Sequence, residues 1–519
     1  MQNNLKFKMP DGQNEKRFIA QLAAQYALKK EPAVTEKFTI YDTFDWRLYN
    51  KSLVLCASAN RLFLRKLAAD EILHSVAITS LPAFVGGFPE SELKRQLTPI
   101  IKMRALLRLV EIHSRSVSYR ILNADQKTVA RLAYEEFRPR RRDNKPALVT
   151  HLWLKPVKGY PRYMRTLTKQ FQGAGLEINK KEELYFKALA VVNKKPGGYS
   201  AKVNIPLDPQ MRSDQATKVI LRFLLQIMRT NEAYIGKDLD TEFLHDFRVA
   251  IRRTRSALGQ IKYVFPTKIT TRLKKEFAYV GKLSNELRDL DVYLLNEDTY
   301  KAMLAPILRE DINPLFDYLR KKRSAALQKV IRSLKAKKYL KIIEHWEAFL
   351  NEAPVDSPAA LNAKLPIIDL ARNRIHKKYR NVVKAGNQIL ENSEDEMLHV
   401  LRIHCKKLRY LMEFFSSLFP GDKIGTLIGQ LKKLQDNLGD FNDLRVQRDY
   451  LLDIIEELPL AQRRSKRTLA AIGSLVGALD KEKQAVKKAF TQTFEDFGSP
   501  ANLALFQELF STTTPKRVS

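Results

Sequence analysis

One twelve-residue stretch occurs twice in this chain, and any fold the chain adopts must accommodate both copies. The first is Leu244-His245-Asp246-Phe247-Arg248-Val249-Ala250-Ile251-Arg252-Arg253-Thr254-Arg255. The second, 154 residues further on, is Leu398-His399-Val400-Leu401-Arg402-Ile403-His404-Cys405-Lys406-Lys407-Leu408-Arg409. His245 falls on His399, Arg248 on Arg402, Arg252-Arg253 on Lys406-Lys407 and Arg255 on Arg409. Neither copy contains Gly or Pro, and each spaces its apolar residues at helical intervals, so both are read as helices. At about 100° per residue, His245, Arg248, Arg252 and Arg255 fall within an arc of roughly 80°. An apolar stripe of Leu244, Phe247, Ile251 and Leu258 lies beside them. Like charges so close on one stripe repel. Solvation explains a single face of this kind. Two copies, each led by a histidine, are better explained by a polyanion that neutralises them.

The charge balance points the same way. Lys+Arg outnumber Asp+Glu by 91 to 57, giving a net charge of +34. Residues 1–200 hold 36 Lys+Arg and 18 Asp+Glu, and the remainder 55 and 39, so the excess is +18 and +16. The charge is spread over the chain and does not form a basic tail, which favours a polyanionic partner: nucleic acid, an anionic membrane surface or inorganic polyphosphate. Only Cys56 and Cys405 are present, which excludes a disulfide framework and a zinc-type cysteine cluster. Met1 to Lys6 contains no apolar leader segment, and no run of 18 apolar residues exists. The expected location is therefore cytoplasmic, without a membrane span.

Along the chain, residues 1–192 mix short β-rich runs with helical pieces. Leu5–Lys8, Phe38–Tyr41, Leu53–Leu55, Arg61–Arg65 and His151–Lys155 read as strands, and Glu15–Lys29 as a helix. Closed into a barrel, alternate residues of such strands would face one interior, with Arg104, Arg108, Arg115 and Arg120 adding to its charge. A solvated basic sheet face is the alternative. Residues 193–212, with Lys194-Lys195-Pro196-Gly197-Gly198, Pro206 and Pro209, read as a linker. From residue 213 to about 510 long amphipathic helices follow, with Ser213-Asp214 and Thr241 as expected N-caps. Helices are expected over about 303–334, 337–351, 365–391 and 461–497. A second repeated segment, Leu283-Ser284-Asn285-Glu286-Leu287-Arg288-Asp289-Leu290-Asp291-Val292, returns as Leu434-Gln435-Asp436-Asn437-Leu438-Gly439-Asp440-Phe441-Asn442-Asp443, offset by 151. The duplicated units, about 213–352 and 360–510, are too large for a solenoid repeat and read as two pseudo-symmetric helical bundles. Residues 511–519 read as a disordered tail.

The H-x-x-R-x-x-x-[RK]-[RK]-x-R run in both halves, followed by L-R-D-L-D-V and L-G-D-F-N-D, resembles the CHAD family, the conserved histidine α-helical domains. Tyr41-Asp42-Thr43, the following Leu48 and the ending Lys180-Lys181-Glu182-Glu183-Leu184-Tyr185 resemble the CYTH family, whose tunnel-fold domains include triphosphatases and adenylate cyclases and are often fused to CHAD domains. The expected architecture is an α+β, β-barrel or tunnel-like N-terminal domain followed by an all-α domain. The CHAD resemblance implies binding of inorganic polyphosphate in a basic central channel, often on polyphosphate granules. The residues implied are His245, Arg248, Arg252, Arg253, Arg255, His399, Arg402, Lys406, Lys407 and Arg409, with Arg323, Lys483 and Lys487 on later helices. No cofactor is implied, and oligomeric state is not legible.

The CYTH family's opening strand carries E-x-E-x-K. Here it reads Asn4-Leu5-Lys6-Phe7-Lys8, and Leu53 to Ser58 lack the family's paired arginines. Carboxylates are what hold a divalent ion against a triphosphate. Asp125, Glu135 and Glu136 remain, without those partners, so metal-dependent triphosphatase activity stands as the alternative and a catalytically degenerate domain as the expectation. Nucleic-acid binding is the third reading, with no motif for base readout. Asp289, Asp291, Asp440 and Asp443 are expected to orient the cations rather than bind metal, and His245 and His399 to donate to phosphate oxygens.

Overall fold

The computed structural model describes residues 4–9, 15–68, 72–139, 147–179, 183–353, 356–389, 393–458 and 464–511. The expected disordered tail beyond Ser511 and the Lys180-Lys181-Glu182 part of the CYTH-like ending lie outside these residues. Backbone contacts divide the chain into two compact units, Met1–Ser200 and Ala201–Ser519.

The first unit is built in the order β1 (Leu5–Lys8), α1 (Glu15–Ala23), β2 (Ala27–Lys30), β3 (Val34–Thr43), β4 (Leu53–Ala57), β5 (Arg61–Lys66) and β6 (Ile72–Ala77). It continues with α2 (Glu92–Ile101), β7 (Leu106–Leu122), β8 (Thr128–Pro139), β9 (Val149–Pro156), α3 (Pro161–Gly173), β10 (Glu177–Ile178) and α4 (Glu183–Val191). The strands form one antiparallel sheet in the order β10-β1-β9-β8-β7-β3-β4-β5-β6. Helix α1 stops at Ala23, short of the expected Lys29, because Ala27–Lys30 pairs with Tyr119–Leu122. Strand β7 runs past the end of β3, and its exposed backbone groups need partners that β2 supplies. The sheet is not closed into a barrel: among the described residues β10 and β6 remain its two edges. Helix α4 packs on one face of the sheet, and its Leu184, Tyr185, Ala188 and Leu189 share a core with Ile40, Val54, Val110, Phe137 and Val149.

Asp42 explains the Tyr41-Asp42-Thr43 signature. Its buried carboxylate accepts the backbone N–H groups of Thr43 at 2.7 Å, Leu48 at 3.0 Å and Tyr49 at 2.9 Å, and so folds the turn after β3. Burial pushes its pKa from 3.8 up to about 6, against the pull of those same hydrogen bonds.

The second unit is helical: α5 (Ser213–Ile235), α6 (Glu242–Gln260), α7 (Thr267–Lys282), α8 (Asn285–Leu295), α9 (Glu297–Met303), α10 (Asn313–Leu334) and α11 (Lys337–Asn351). The second copy follows as α12 (Ile367–Gly386), α13 (Asp395–Phe414), α14 (Gly421–Glu457), α15 (Arg464–Phe497) and α16 (Pro500–Phe510). The sequence pattern places one helix from 303; the chain instead turns at Pro306–Leu308 and restarts at Asn313. Thr241 sits at the N-cap of α6 without a side-chain cap bond. Asp240 Oδ1 accepts from Glu242 N at 2.9 Å in its place.

Both copies pour their apolar stripes into one continuous core, from Ile220 and Phe247 to Leu408 and Leu434. Their starts are tied by a reciprocal exchange: Ser213 N donates to Leu365 O at 2.9 Å, and Ile367 N donates to Met211 O at 2.9 Å. Adding the repeat offset of 154 to residues 211 and 213 gives 365 and 367, so each bond is the other's image about a pseudo-twofold axis. Helices α6 and α13, which carry the histidine motif, pack directly on each other.

Asp42→Ala is expected to raise amide exchange at Thr43, Leu48 and Tyr49 by at least about tenfold, because three buried N–H groups lose their acceptor. The raised folded pKa of Asp42 contributes stability that is complete below about pH 4 and lost as pH rises through about 6. Asn at this position removes that dependence, as thermal unfolding between pH 4 and 8 checks.

Candidate functional site

The two histidine helices owe their orientation to their companion segments. Arg248 Nη1 donates to Gly281 O at 3.3 Å, Ser284 Oγ at 3.0 Å and Asn285 Oδ1 at 2.8 Å. These acceptors surround the break between α7 and α8, where helix-end carbonyls lack intrahelical donors. In the second copy the same region is one unbroken helix, α14, and offers no such carbonyls. Arg402 Nη2 donates to the Asp443 carboxylate at 3.1 Å instead. Asp443 Oδ1 also accepts from Asn442 Nδ2 at 3.2 Å, and Asn442 Oδ1 lies 2.9 Å from His399 Nδ1. With Nδ1–H donating to the amide oxygen, His399 keeps Nε2 for another partner. His245 holds the equivalent, half-buried place on α6.

The acids divide their work unequally. Asp291 Oδ1 accepts Arg323 Nε at 2.7 Å, and Asp238 takes both terminal nitrogens of Arg323 at 2.7 and 2.6 Å. These partners hold the Arg323 guanidinium above its usual pKa, led by the Asp238 hydrogen bonds. Burial raises the Asp289 carboxyl pKa, opposed by the nearby Arg248 and Arg288. Asp440 lies near Asp436 and Asp443, and burial followed by those charges raises its carboxyl pKa.

Across the axis the cations converge. Burial pulls Arg248 down to about 10, and Arg252 and Arg288 add repulsion. Burial lowers Arg402, with Arg252 and Arg445 adding to it. Lys406 falls to about 8, first through burial and then through the charges of Arg402 and Arg252. Arg252 therefore lies within electrostatic reach of cations from both copies, and it is exposed, as is Arg255. Arg253 and Arg409 turn elsewhere. Both pair with Glu413, at 2.7 and 3.4 Å, and both lie 5.9 Å from the Tyr410 ring. Arg253 fastens α6 to α13, while Arg409 holds the same carboxylate from within α13. Lys483 and Lys487 are held by Asp395, each at 3.2 Å, at the start of α13. Lys407 lies on another face of α13, beside Lys378 and His404.

Arg288 and Arg445 join the convergent group without having been singled out in the sequence. Arg288 lies inside the repeated L-R-D-L-D-V segment, but its counterpart is Gly439, so the repeat itself gave no sign of it.

In the first unit His151 is buried, and its ring is held neutral, with a pKa of about 3, by burial and then by Lys6, Arg65 and Lys187. Arg104, Arg108, Arg115 and Arg120 instead pair with Asp45, Glu111, Glu15 and Glu31. Glu135 accepts from Trp153 Nε1 at 2.8 Å, Glu136 pairs with Arg138 at 3.5 Å, and Asp125 sits in the turn beside Asn123. Among the described residues no group of three or more His, Cys, Asp or Glu is placed to hold a metal ion, and no helix is long and apolar enough to cross a membrane.

Residues 219–452 match the family model of the CHAD domain. That span lies within the helical unit. Uncharacterized proteins of two Mycobacterium tuberculosis strains are 24% identical over 260 residues, 49% of this chain and 48% of theirs. The chain therefore spans about half the length of the curated relatives it matches. The CHAD domain of the plant Ricinus communis is similar at 21% identity and a TM-score of 0.49, over 57% of this chain and 96% of that one. A Hippeastrum protein described as having a dominant triphosphatase activity is 11% identical with a TM-score of 0.26, over 38% and 99%.

Lys406 is expected to titrate with a midpoint near 8 in Nζ-detected NMR, and Arg252→Ala to move that midpoint up by removing a repelling cation. Because its folded pKa lies below the unfolded 10.5, the unfolded chain binds the proton more tightly, and stability rises with pH between about 8 and 10.5.

Proposed function

We propose that the protein binds inorganic polyphosphate along the cations that meet at the pseudo-twofold axis. The observation that carries this reading is the position of Arg252, exposed and close to Arg248 on its own helix and to Arg402 and Lys406 on the other. Asp443 takes one bond from Arg402, but Arg252, Arg255 and Lys406 have no salt-bridge partner among the described residues, and a linear polyanion relieves the repulsion stored in the row. Arg presents a planar fork to phosphate oxygens, and Lys acts as a point charge. The match to the CHAD domain over residues 219–452 supports the same ligand. Arg248, Arg252, Arg255, Arg402 and Lys406 form the contact row, with His245 and His399 donating at one end of each helix. Arg253 keeps the two helices together through Glu413, which Arg409 holds from within α13, and Arg323, Lys483 and Lys487 brace the surrounding helices through aspartate partners. A path lined from both sides in this way is a basic channel, and a protein that threads long chains would collect on polyphosphate granules.

The proposal includes no catalysis. The cations around His151 in the first unit favour phosphate binding there as well, and hydrolysis of tripolyphosphate with Mg²⁺ or Mn²⁺ is the competing reading for that unit. Metal-dependent phosphate release that persists in purified protein would establish it.

Long-chain polyphosphate is expected to outcompete single-stranded DNA of matched charge at physiological salt; equal competition would make the protein a general polyanion binder. Arg252→Glu combined with Lys406→Glu is expected to weaken polyphosphate binding roughly a hundredfold or more, since each reversed charge removes an ionic contact and adds repulsion. Circular dichroism should show unchanged helicity. Affinity should fall linearly in log–log form as salt rises, through release of condensed counterions. Affinity that is flat across that range contradicts the electrostatic mechanism.

A further inference from the structure

The second copy carries a cation cluster that the duplicated motif accounts for only at Lys407. On α13, at about 100° per residue, His404 and Lys407 lie roughly 100–160° around the helix from Arg402 and Lys406. They therefore occupy a different face from the contact row. That face meets α12, where Arg374, Lys377 and Lys378 follow each other at i, i+3 and i+4. Lys378 lies within electrostatic reach of Lys407, Lys262, Lys377 and Arg374, and His404 within reach of Lys407 and Lys378. Among the described residues no salt bridge joins any of these six to a carboxylate.

Lys407 has a cationic counterpart in Arg253 and Lys262 belongs to the first copy, but the other members are specific to the second copy. Subtracting the offset of 154 places Ile220 at the position of Arg374, Phe223 at Lys377, Leu224 at Lys378 and Ala250 at His404. Ile220 and Leu224 are fully buried in the core. Where one copy has closed this face with apolar packing, the other has set cations there. The chain also builds a support for them. Arg374 Nη2 donates to Lys262 O at 3.3 Å, and its guanidinium lies 5.9 Å from the Tyr263 ring. Tyr263 adopts a left-handed backbone with φ of 63°. Asn362 fixes this turn by donating Nδ2 to Lys262 O and its backbone N to Tyr263 O, both at 2.8 Å. Arg374 Nε and His404 Nδ1 are buried without a hydrogen-bond partner in the described structure. Buried polar atoms are rarely left so, and clustered cations without counter-charge are costly. A compact anion bearing several charges relieves the second cost.

We propose that the α12–α13 face, centred on Lys378 and Lys407, is a second site for condensed phosphate, separate from the row at the pseudo-twofold axis. A short chain the size of tripolyphosphate is its ligand class. The proposal shares the ligand chemistry of the reading above but none of its contact row, so the two can fail separately.

Calorimetric titration of the full chain with tripolyphosphate, without divalent metal, tests it. The Arg252→Glu, Lys406→Glu protein is expected to keep a tripolyphosphate site of nearly unchanged affinity. Lys378→Glu with Lys407→Glu should weaken that site at least about tenfold, in line with the loss of charge-assisted contacts. Lys377→Glu, at an exposed position that leaves the packing untouched, should weaken it by a smaller, measurable factor. In the Arg252→Glu, Lys406→Glu background, tripolyphosphate binding that survives both the Lys378/Lys407 and the Lys377 changes overturns the second site. Binding abolished by the Arg252/Lys406 change alone, in a protein of unchanged helicity, overturns it too and leaves one site at the axis.

Discussion

Glu413 makes the arrangement of the helical unit tolerable. Two helices loaded with Arg and Lys lie against each other, and charge alone would drive them apart. Glu413, near the C-terminal end of α13, accepts Arg253 from α6 and Arg409 from its own helix, with Tyr410 packed beside both guanidinium groups. One carboxylate thus converts two cations of the repeated motif from repulsive to cohesive. Arg252 and Lys406 have no salt-bridge partner among the described residues and meet at the seam. The apolar stripe of Phe247, Ile251, Leu401 and Leu408 then supplies the burial that holds that charge in place.

Much of this was legible in the sequence. The helical period and the repeated motif located α6 and α13, and the second repeated segment located the residues that steer Arg248 and Arg402. What periodicity does not encode is which cation a carboxylate claims. Arg253 stands next to Arg252 in the chain but about 100° away around the helix, so one is committed to Glu413 and the other is not. Arg323, Lys483 and Lys487 read as ligand-facing cations, yet each is held by an aspartate from a distant helix. Such pairings depend on tertiary approach, which spacing within one helix does not specify. The sheet shows the same limit. Ala27–Lys30 reads as the end of a helix until the unpaired length of β7 recruits it as a strand. Strand patterns alone also do not specify that the sheet stays open while α4 packs on it.

The differences between the two copies are as informative as their likeness. Arg248 leans on the open end of α7, whereas Arg402 leans on a carboxylate of an unbroken α14. Both solutions hold the guanidinium at the same position of the repeated motif. What has been kept is the position of the charge rather than the means of holding it, as expected when the selected property is an electrostatic field.

The paired bonds between residues 211–213 and 365–367, together with the shared core, give the helical unit the interior of a symmetric dimer written on one polypeptide. A dimer of identical chains must place every residue twice, so a substitution that suits one side is imposed on the other. Joining the halves lifts that restriction. One half can bury Ile220 and Leu224 while its counterpart carries Arg374 and Lys378, a combination no homodimer could encode. The covalent link between the copies therefore does more than raise their effective concentration: it allows a symmetric scaffold to acquire unequal faces.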